Sequence, residues 1–215
     1  MRLVLVRHGE TGHNRGQLTL GRADVPLNER GRMQAEALAA SFTAAPDAIY
    51  ASPLQRAYET ASRIGAATDV TVHREHALIE MDVGEMEHLT GAELRERYPD
   101  FLAQWLSPDC ADARMPGGET LAEVQDRAWG AVERIRERHP DGPVVAVTHN
   151  FVILTLLCRA LGLPLSHFRR LRQTLAAKTV LDITERSGQL LQLNDTAHLM
   201  AAGLADDLLA REVRP

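Results

Sequence analysis

The sequence predicts an α/β protein: a mainly parallel sheet with helices on both faces, an antiparallel edge strand and a helical insertion. Three observations carry this. The short apolar runs Leu3–Val6, Ala48–Ala51, Val70–Val72 and Pro143–Thr148 alternate with stretches of helical spacing. Leu3–Val6 is apolar at every position rather than every second one, the mark of a strand covered on both faces. Late in the chain, Thr179–Thr184 and Gln189–Leu193 flank Arg186-Ser187-Gly188, the pattern of a hairpin at a sheet edge.

Each element has a local reason. Residues 8 to 27 are polar and glycine-bearing and read as a loop. A helix over 29–44 follows, with Asn28 as its N-cap. Ser52, Pro53 and Gln55 read as a cap, a first-turn proline and the close of a capping box, opening a helix to about Ala67. Past the third strand, 77–89 reads as a loop. Thr90 with Glu93 caps a helix that Pro99 interrupts, while Leu94, Tyr98, Leu102 and Trp105 keep one apolar face across the break. Residues 107–118 form a loop. Thr120 with Glu123 then opens a helix whose Leu121, Val124, Ala128, Val132 and Ile135 share a face, ending near His139. Asn150 stands where it would cap the helix after the fourth strand. With no repeat, low-complexity tract or linker, residues 1–215 are expected to be a single domain, with 85–118 inserted over one end of the sheet.

The 215 residues carry a net charge of −5, with 45% apolar and 25% charged side chains. That is a globular mixture, with disorder expected only in the last dozen residues, and its overall field gives no help to binding nucleic acid. The two cysteines, Cys110 and Cys158, lack CxxC spacing, which argues against a disulfide framework or a structural zinc site. Leu3–Val6 is too short for a signal peptide, and Phe151–Cys158 is too short to span a bilayer. The expectation is a soluble, cytoplasmic protein with no nucleic-acid and no membrane partner. Whether it forms a homodimer is left open.

In open α/β sheets, ligands bind at the carboxyl ends of the strands. Two strands here end in histidine, at Val6-Arg7-His8 and Val147-Thr148-His149, and the second strand leads into a helix with Arg56 in its first turn. Arg7, His8, Arg56 and His149 therefore converge. Guanidinium forks match phosphate oxygens, and an imidazole near neutral pH serves as nucleophile or proton carrier. Gly9 is expected to let the backbone approach the phosphate closely.

These segments resemble the histidine phosphatase superfamily, the phosphoglycerate mutase-like group. The resemblance rests on Arg7-His8-Gly9-Glu10-Thr11 with Asn14, and on Asp24-Val25-Pro26-Leu27-Asn28-Glu29-Arg30-Gly31. It continues through Ser52-Pro53-Leu54-Gln55-Arg56-Ala57, Gly117-Gly118-Glu119-Thr120 and Val147-Thr148-His149-Asn150. It implies a phosphoglycerate mutase-like fold, no metal or other cofactor, and His8 as the nucleophile that forms a phosphohistidine. Arg7, Arg56 and His149 would clamp the phosphoryl oxygens, with Asn14 and Asn150 also binding. In the segment Leu78-Ile79-Glu80-Met81-Asp82-Val83-Gly84 it makes Glu80 the general acid, with Asp82 as the alternative.

The resemblance implies hydrolysis of a small phosphorylated metabolite. A phosphoglycerate-type mutase is the alternative, disfavoured by the modest insertion. A silent phosphate-binding regulatory module is the reading from another class. The chain is similar to metal-independent phosphoserine phosphatases but departs from them at Val83, where those carry histidine. It has Met86-Glu87-His88 where the broader family often shows Trp-x-Gly, and Ala23 where many members have glutamine. Ala23, Val83, Met86 and His198 are expected to line the substrate's side of the site, and Met81, Val83 and Met86 would make its mouth apolar. His73 and His76 read as solvated rather than metal-binding. His167 with Arg169, Arg170 and Arg172 reads as a solvated helix face, and Trp105 and Trp129 as core.

Overall fold

In the computed structural model, which describes residues 1–185 and 188–205, the strands are β1 (Arg2–Arg7), β2 (Ala48–Ala51), β3 (Val72–Arg74), β4 (Pro143–Thr148), β5 (Lys178–Ile183) and β6 (Gly188–Asp195). They form one sheet in the order β3-β2-β4-β1-β5-β6. The first four run parallel; β5 lies antiparallel to β1 and β6 antiparallel to β5. The hairpin turn expected at Arg186-Ser187, and the disorder and domain extent expected from residue 206 on, fall outside the described residues.

The helices are α1 (Gly12–Arg15), α2 (Glu29–Ala40), α3 (Gln55–Thr68), α4 (Gly91–Arg97), α5 (Pro99–Trp105), α6 (Leu121–Arg138), α7 (Asn150–Ala160) and α8 (Ala197–Ala201). The alternation of side chains along each strand divides the core between the two faces. Leu3, Leu5, Val144 and Ala146 pack with α6 and α7 through Val124, Ala128, Val152 and Leu156. Val6, Ile49, Val145 and Val147 pack on the other face with Leu38 of α2, Ile64 of α3 and Leu199 of α8. Among the described residues no helix is long and apolar enough to cross a membrane.

Several boundaries differ from expectation, each for a tertiary reason. The loop 8–27 contains α1, closed by a reciprocal Thr11–Asn14 capping box. The third strand starts at Val72 rather than Val70, because the Val70 N–H closes the end of α3 on the Gly65 carbonyl at 3.1 Å. The helix after Asn28 ends at Ala40, where the Ser41 hydroxyl turns back onto the Leu38 carbonyl. Ser52 does not cap α3. The helix starts at Gln55, whose N–H donates to Asp24 Oδ1 at 2.7 Å from a distant loop. Asn150 is the first residue of α7 rather than its cap.

Pro99 splits the insertion into α4 and α5, and the capping boxes at Thr90 and Thr120 form as expected. Trp105 and Trp129 are half-buried on the rim of the core rather than inside it. Trp105 packs against Phe151 and Phe168 with ring centroids 5.9 and 5.5 Å away, which ties the insertion to α7.

Gly9 has a different reason from the one expected. A Cβ there would lie 2.5 Å from the Gly31 carbonyl oxygen in the first turn of α2, so the glycine admits a helix and not a phosphate. The Gly9→Ala variant is expected to lose about 1–3 kcal/mol of stability through overpacking. Thermal denaturation should show its midpoint lowered by several degrees.

Candidate active site

Parallel pairing of β1 with β4 sets Arg7 opposite Thr148. The next residues, His8 and His149, leave the sheet side by side, with ring centroids 5.1 Å apart. The His8 N–H donates to the Thr148 carbonyl at 3.0 Å, which extends the ladder by one rung beneath the rings. Both imidazoles are buried. Burial first, then the nearby Arg56 and Arg7, holds the His8 pKa well below its ordinary value. Burial, then Arg56, does the same to His149. Both rings are therefore neutral at pH 7.

The hydrogen bonds decide the His8 tautomer. Nδ1 lies 2.7 Å from the Gly9 carbonyl, which can only accept, so Nδ1 carries the proton and Nε2 a bare lone pair. His149 Nε2 lies 2.7 Å from the Ser52 hydroxyl, so Ser52 orients this ring instead of capping a helix. His149 Nδ1 is buried with no protein partner.

Arg56 is fully buried at the start of α3. Its Nη1 donates to the Ala23 carbonyl at 2.8 Å and its Nη2 to the Gly21 carbonyl at 2.7 Å, while Nε has no protein partner. Glu87 supports this arrangement from behind by accepting the backbone N–H groups of Gly21, Arg22 and Ala23 at 2.7, 2.9 and 3.2 Å. Arg7 Nη1 donates to the Gln173 carbonyl at 2.8 Å. Asn14 Oδ1 is taken by Thr11, which leaves the Nδ2 amide as its remaining donor.

Glu80 is buried, with Oε1 accepting the Met81 N–H at 2.9 Å and Oε2 that of Phe151, in the first turn of α7, at 3.4 Å. Burial outweighs these bonds and the nearby arginines and pushes the carboxyl pKa up. Asp82 is placed differently: it is partly exposed, paired with Arg22 at 3.2 Å, and accepts the Gly84 N–H.

The loop carrying Glu80 is held from outside. Arg127 of α6 donates to the carbonyls of Ala77, Ile79 and Glu80 at 2.7, 2.7 and 3.1 Å, and to both oxygens of Glu119. Glu119 in turn accepts the Asp82 N–H and pairs with Arg22 at 2.8 Å. Neither Arg127 nor Glu87 carries a local sequence signal, since each reads as an ordinary charged residue.

A cavity of about 930 Å³ opens beside Arg7, Asn14 and Asn150. Leu94 of the insertion borders it, and the opposite wall is the segment 168–175. The expected lining is corrected here. Val83 and Met86, with Met81, are buried in the core cluster under α6, so the mouth is not made of them. Ala23 contributes its backbone to Arg56 and Glu87. His198 Nε2 lies 3.0 Å from the Ala176 carbonyl, behind the His8 backbone and away from the cavity wall. The residues read as a solvated helix face form a 3₁₀ turn, Leu165–Arg170, with Arg169, Arg170 and Arg172 on the cavity wall. His73 and His76 are exposed, and no metal-binding group of three or more His, Cys, Asp or Glu side chains occurs among the described residues.

This fold and arrangement define a phosphate-handling α/β protein centred on a neutral histidine. The chain belongs to the histidine phosphatase superfamily (branch 1), whose profile matches residues 3–196. It is 36% identical over 200 residues to phosphoserine phosphatase 1 of Hydrogenobacter thermophilus, covering 93% of this chain and 94% of that one. It is 33% identical over 181 residues to glucosyl-3-phosphoglycerate phosphatase of Mycobacterium tuberculosis, covering 78% of each. The solved structure of a mycobacterial glucosyl-3-phosphoglycerate phosphatase with VO3 superposes with a TM-score of 0.81 at 32% identity, covering 91% of this chain and 99% of that one.

The pKa directions set a pH dependence. His8 and His149 stay neutral in the fold while their unfolded counterparts gain protons near 6.5, so stability falls as pH drops through that value. The limiting slope is about 1.4 kcal/mol per pH unit for each histidine. Glu80 opposes this by at most one proton in the window above its ordinary 4.5, where the folded carboxyl retains its proton longer. Denaturant unfolding between pH 5 and 8 is expected to show stability rising with pH, and NMR titration should leave both ring signals unmoved near pH 6.5.

Proposed function

We propose that this phosphoric monoester hydrolase cleaves small phosphomonoesters through a phosphohistidine on His8, with its own side chains supplying the charge a metal would otherwise provide. The observation that carries the proposal is the Nδ1–H bond to the Gly9 carbonyl, which leaves a neutral imidazole with a bare Nε2. That lone pair attacks phosphorus, and the ester oxygen leaves as the new N–P bond forms. The ring gains positive charge, which the Gly9 carbonyl stabilises through Nδ1–H. Arg7, Arg56 Nε and His149 Nδ1 face the phosphoryl oxygens with Asn14, and Asn150 adds to the binding at the start of α7.

Glu80 gives the leaving oxygen its proton, for which a raised carboxyl pKa suits it. The resulting carboxylate then takes a proton from water, whose oxygen attacks the phosphohistidine. Phosphate leaves, and both side chains return to their starting states. Asp82 is committed to Arg22 and supports the loop. The insertion 85–118 covers the site as a lid. Two buried free thiols suit a cytoplasmic, reducing compartment.

Phosphate release from p-nitrophenyl phosphate is expected to survive chelator. The His8→Ala variant should lose at least about a thousandfold of it. Rapid alkaline denaturation with labelled substrate should trap base-stable, acid-labile phosphate on the wild type alone. Loss of activity in chelator, or retained activity in His8→Ala, would overturn the route. The primed transfer of phosphate to 3-phosphoglycerate distinguishes a mutase. Arg127→Ala should lower kcat by about 10–100-fold with little change in KM, because it loosens the acid while leaving the phosphate clamp in place.

A further inference from the structure

We propose that the cavity wall formed by residues 168–175 reads a second anionic group on the substrate, through Arg170 and Arg172. The natural substrate is then a phosphomonoester that also carries a carboxylate or a second phosphate. This rests on the phosphatase reading of the site and specifies the other end of its ligand.

Arg170 and Arg172 are exposed on the cavity wall, and among the described residues neither pairs with a carboxylate. The neighbouring Arg169 is already engaged: its Nη2 donates to the Trp105 carbonyl at 2.6 Å and its guanidinium lies over the Phe168 ring at 4.4 Å. Glu10 is the one carboxylate among the residues lining the cavity, and it is occupied by Asn28 at 2.7 Å. A chain whose net charge is −5 thus places unneutralised cations beside its reaction site. Such a wall raises the local concentration of anions and orients them.

The wall is built to hold position. Phe168 is buried against Trp105 and Phe151 at one end. At the other, the Gln173 side chain accepts from the Thr179 hydroxyl at 2.6 Å and donates to the Ala177 carbonyl at 2.8 Å. The Thr174 N–H donates to Asn194 at 2.6 Å. The Gln173 carbonyl takes Arg7 Nη1, so the phosphate clamp and the basic wall share a rigid connection. The space of about 930 Å³ exceeds what a phosphoryl group fills, and it spans from Arg7, Asn14 and Asn150 beside the two histidines to this wall.

The test compares kcat/KM of the wild type and the Arg170→Ala/Arg172→Ala double variant on four esters. 3-Phosphoglycerate carries a carboxylate and fructose 1,6-bisphosphate a second phosphate, whereas p-nitrophenyl phosphate and glycerol 2-phosphate carry neither. The double variant should lose about tenfold or more on an ester with a second anion, chiefly in KM, and less than about twofold on the other pair. Which of the first two esters suffers more identifies the group being read. Equal effects on all four, or none, would overturn the inference while leaving the phosphatase reading intact.

Calorimetric binding of 3-phosphoglycerate and glycerol 2-phosphate to His8→Ala, with and without the double substitution, keeps the two proposals separable. Absent turnover with binding that still depends on Arg170 and Arg172 would refute hydrolysis and support the wall. Absent turnover with no such dependence would refute both.

Discussion

The register between β1 and β4 is the constraint on which the rest of the site depends. Arg7 lies opposite Thr148, so the two residues that follow are abreast, and their imidazoles meet without either strand bending. The register is fixed far from the chemistry by Leu3, Leu5 and Val6 against Val144 to Val147, all buried. A slip of one residue would turn each of these to the opposite face. β2 joins the same arrangement: the Ser52 N–H donates to the Val147 carbonyl, which delivers the hydroxyl to His149 and starts the approach to Arg56. The active geometry is inherited from core packing.

That packing buries the Arg56 cation and answers it with carbonyls rather than carboxylates. Arg56 donates to the carbonyls of Gly21 and Ala23, and the half-buried Arg7 donates to the Gln173 carbonyl. Carbonyls meet the hydrogen-bonding demand yet leave the formal charge in place. Carboxylates at these positions would have stabilised the empty protein and competed with phosphate. Glu80 is buried beside the clamp but has a raised pKa, so its proton limits how far it cancels the field. Desolvation that costs the folded protein stability becomes affinity when a phosphoryl dianion arrives.

Strand-end residues were legible because an apolar run broken by Arg7-His8 or by Thr148-His149 marks the point where a buried strand leaves the sheet. The Thr90–Glu93 and Thr120–Glu123 capping boxes were legible because both partners are local. Ser52 misled because Ser-Pro-x-Gln matches a cap, whereas its actual partner is 97 residues away. Val83 and Met86 sit among acidic and glycine residues that resemble a solvated loop, and only the distant residues of their cluster, Cys110, Met115 and Leu121 among them, make them core. Arg127 and Glu87 act on backbone groups brought to them by the fold, which no spacing encodes. The basic stretch 169–172 is a wall rather than a helix face because Phe168 and Gln173 anchor its two ends.

The proposed nucleophile and the proposed acid are held by different means, and this shapes what the fold can vary. His8 follows directly on β1 and is held by one further rung of the ladder. Glu80 stands on a loop whose carbonyls have no ladder, so Arg127 gathers three of them with one planar, multiply donating fork and anchors them to Glu119. A lysine, with a single nitrogen, could not span the same set. In the proposed mechanism, phosphate recognition and proton transfer are thereby fixed by the sheet and α6. The wall at 168–175 joins this apparatus through the Arg7–Gln173 bond and otherwise rests on β5, β6 and the aromatic cluster. Arg170 and Arg172 carry no load in either framework, so the substrate recognition proposed for them is free to change while the chemistry proposed for His8 stays the same.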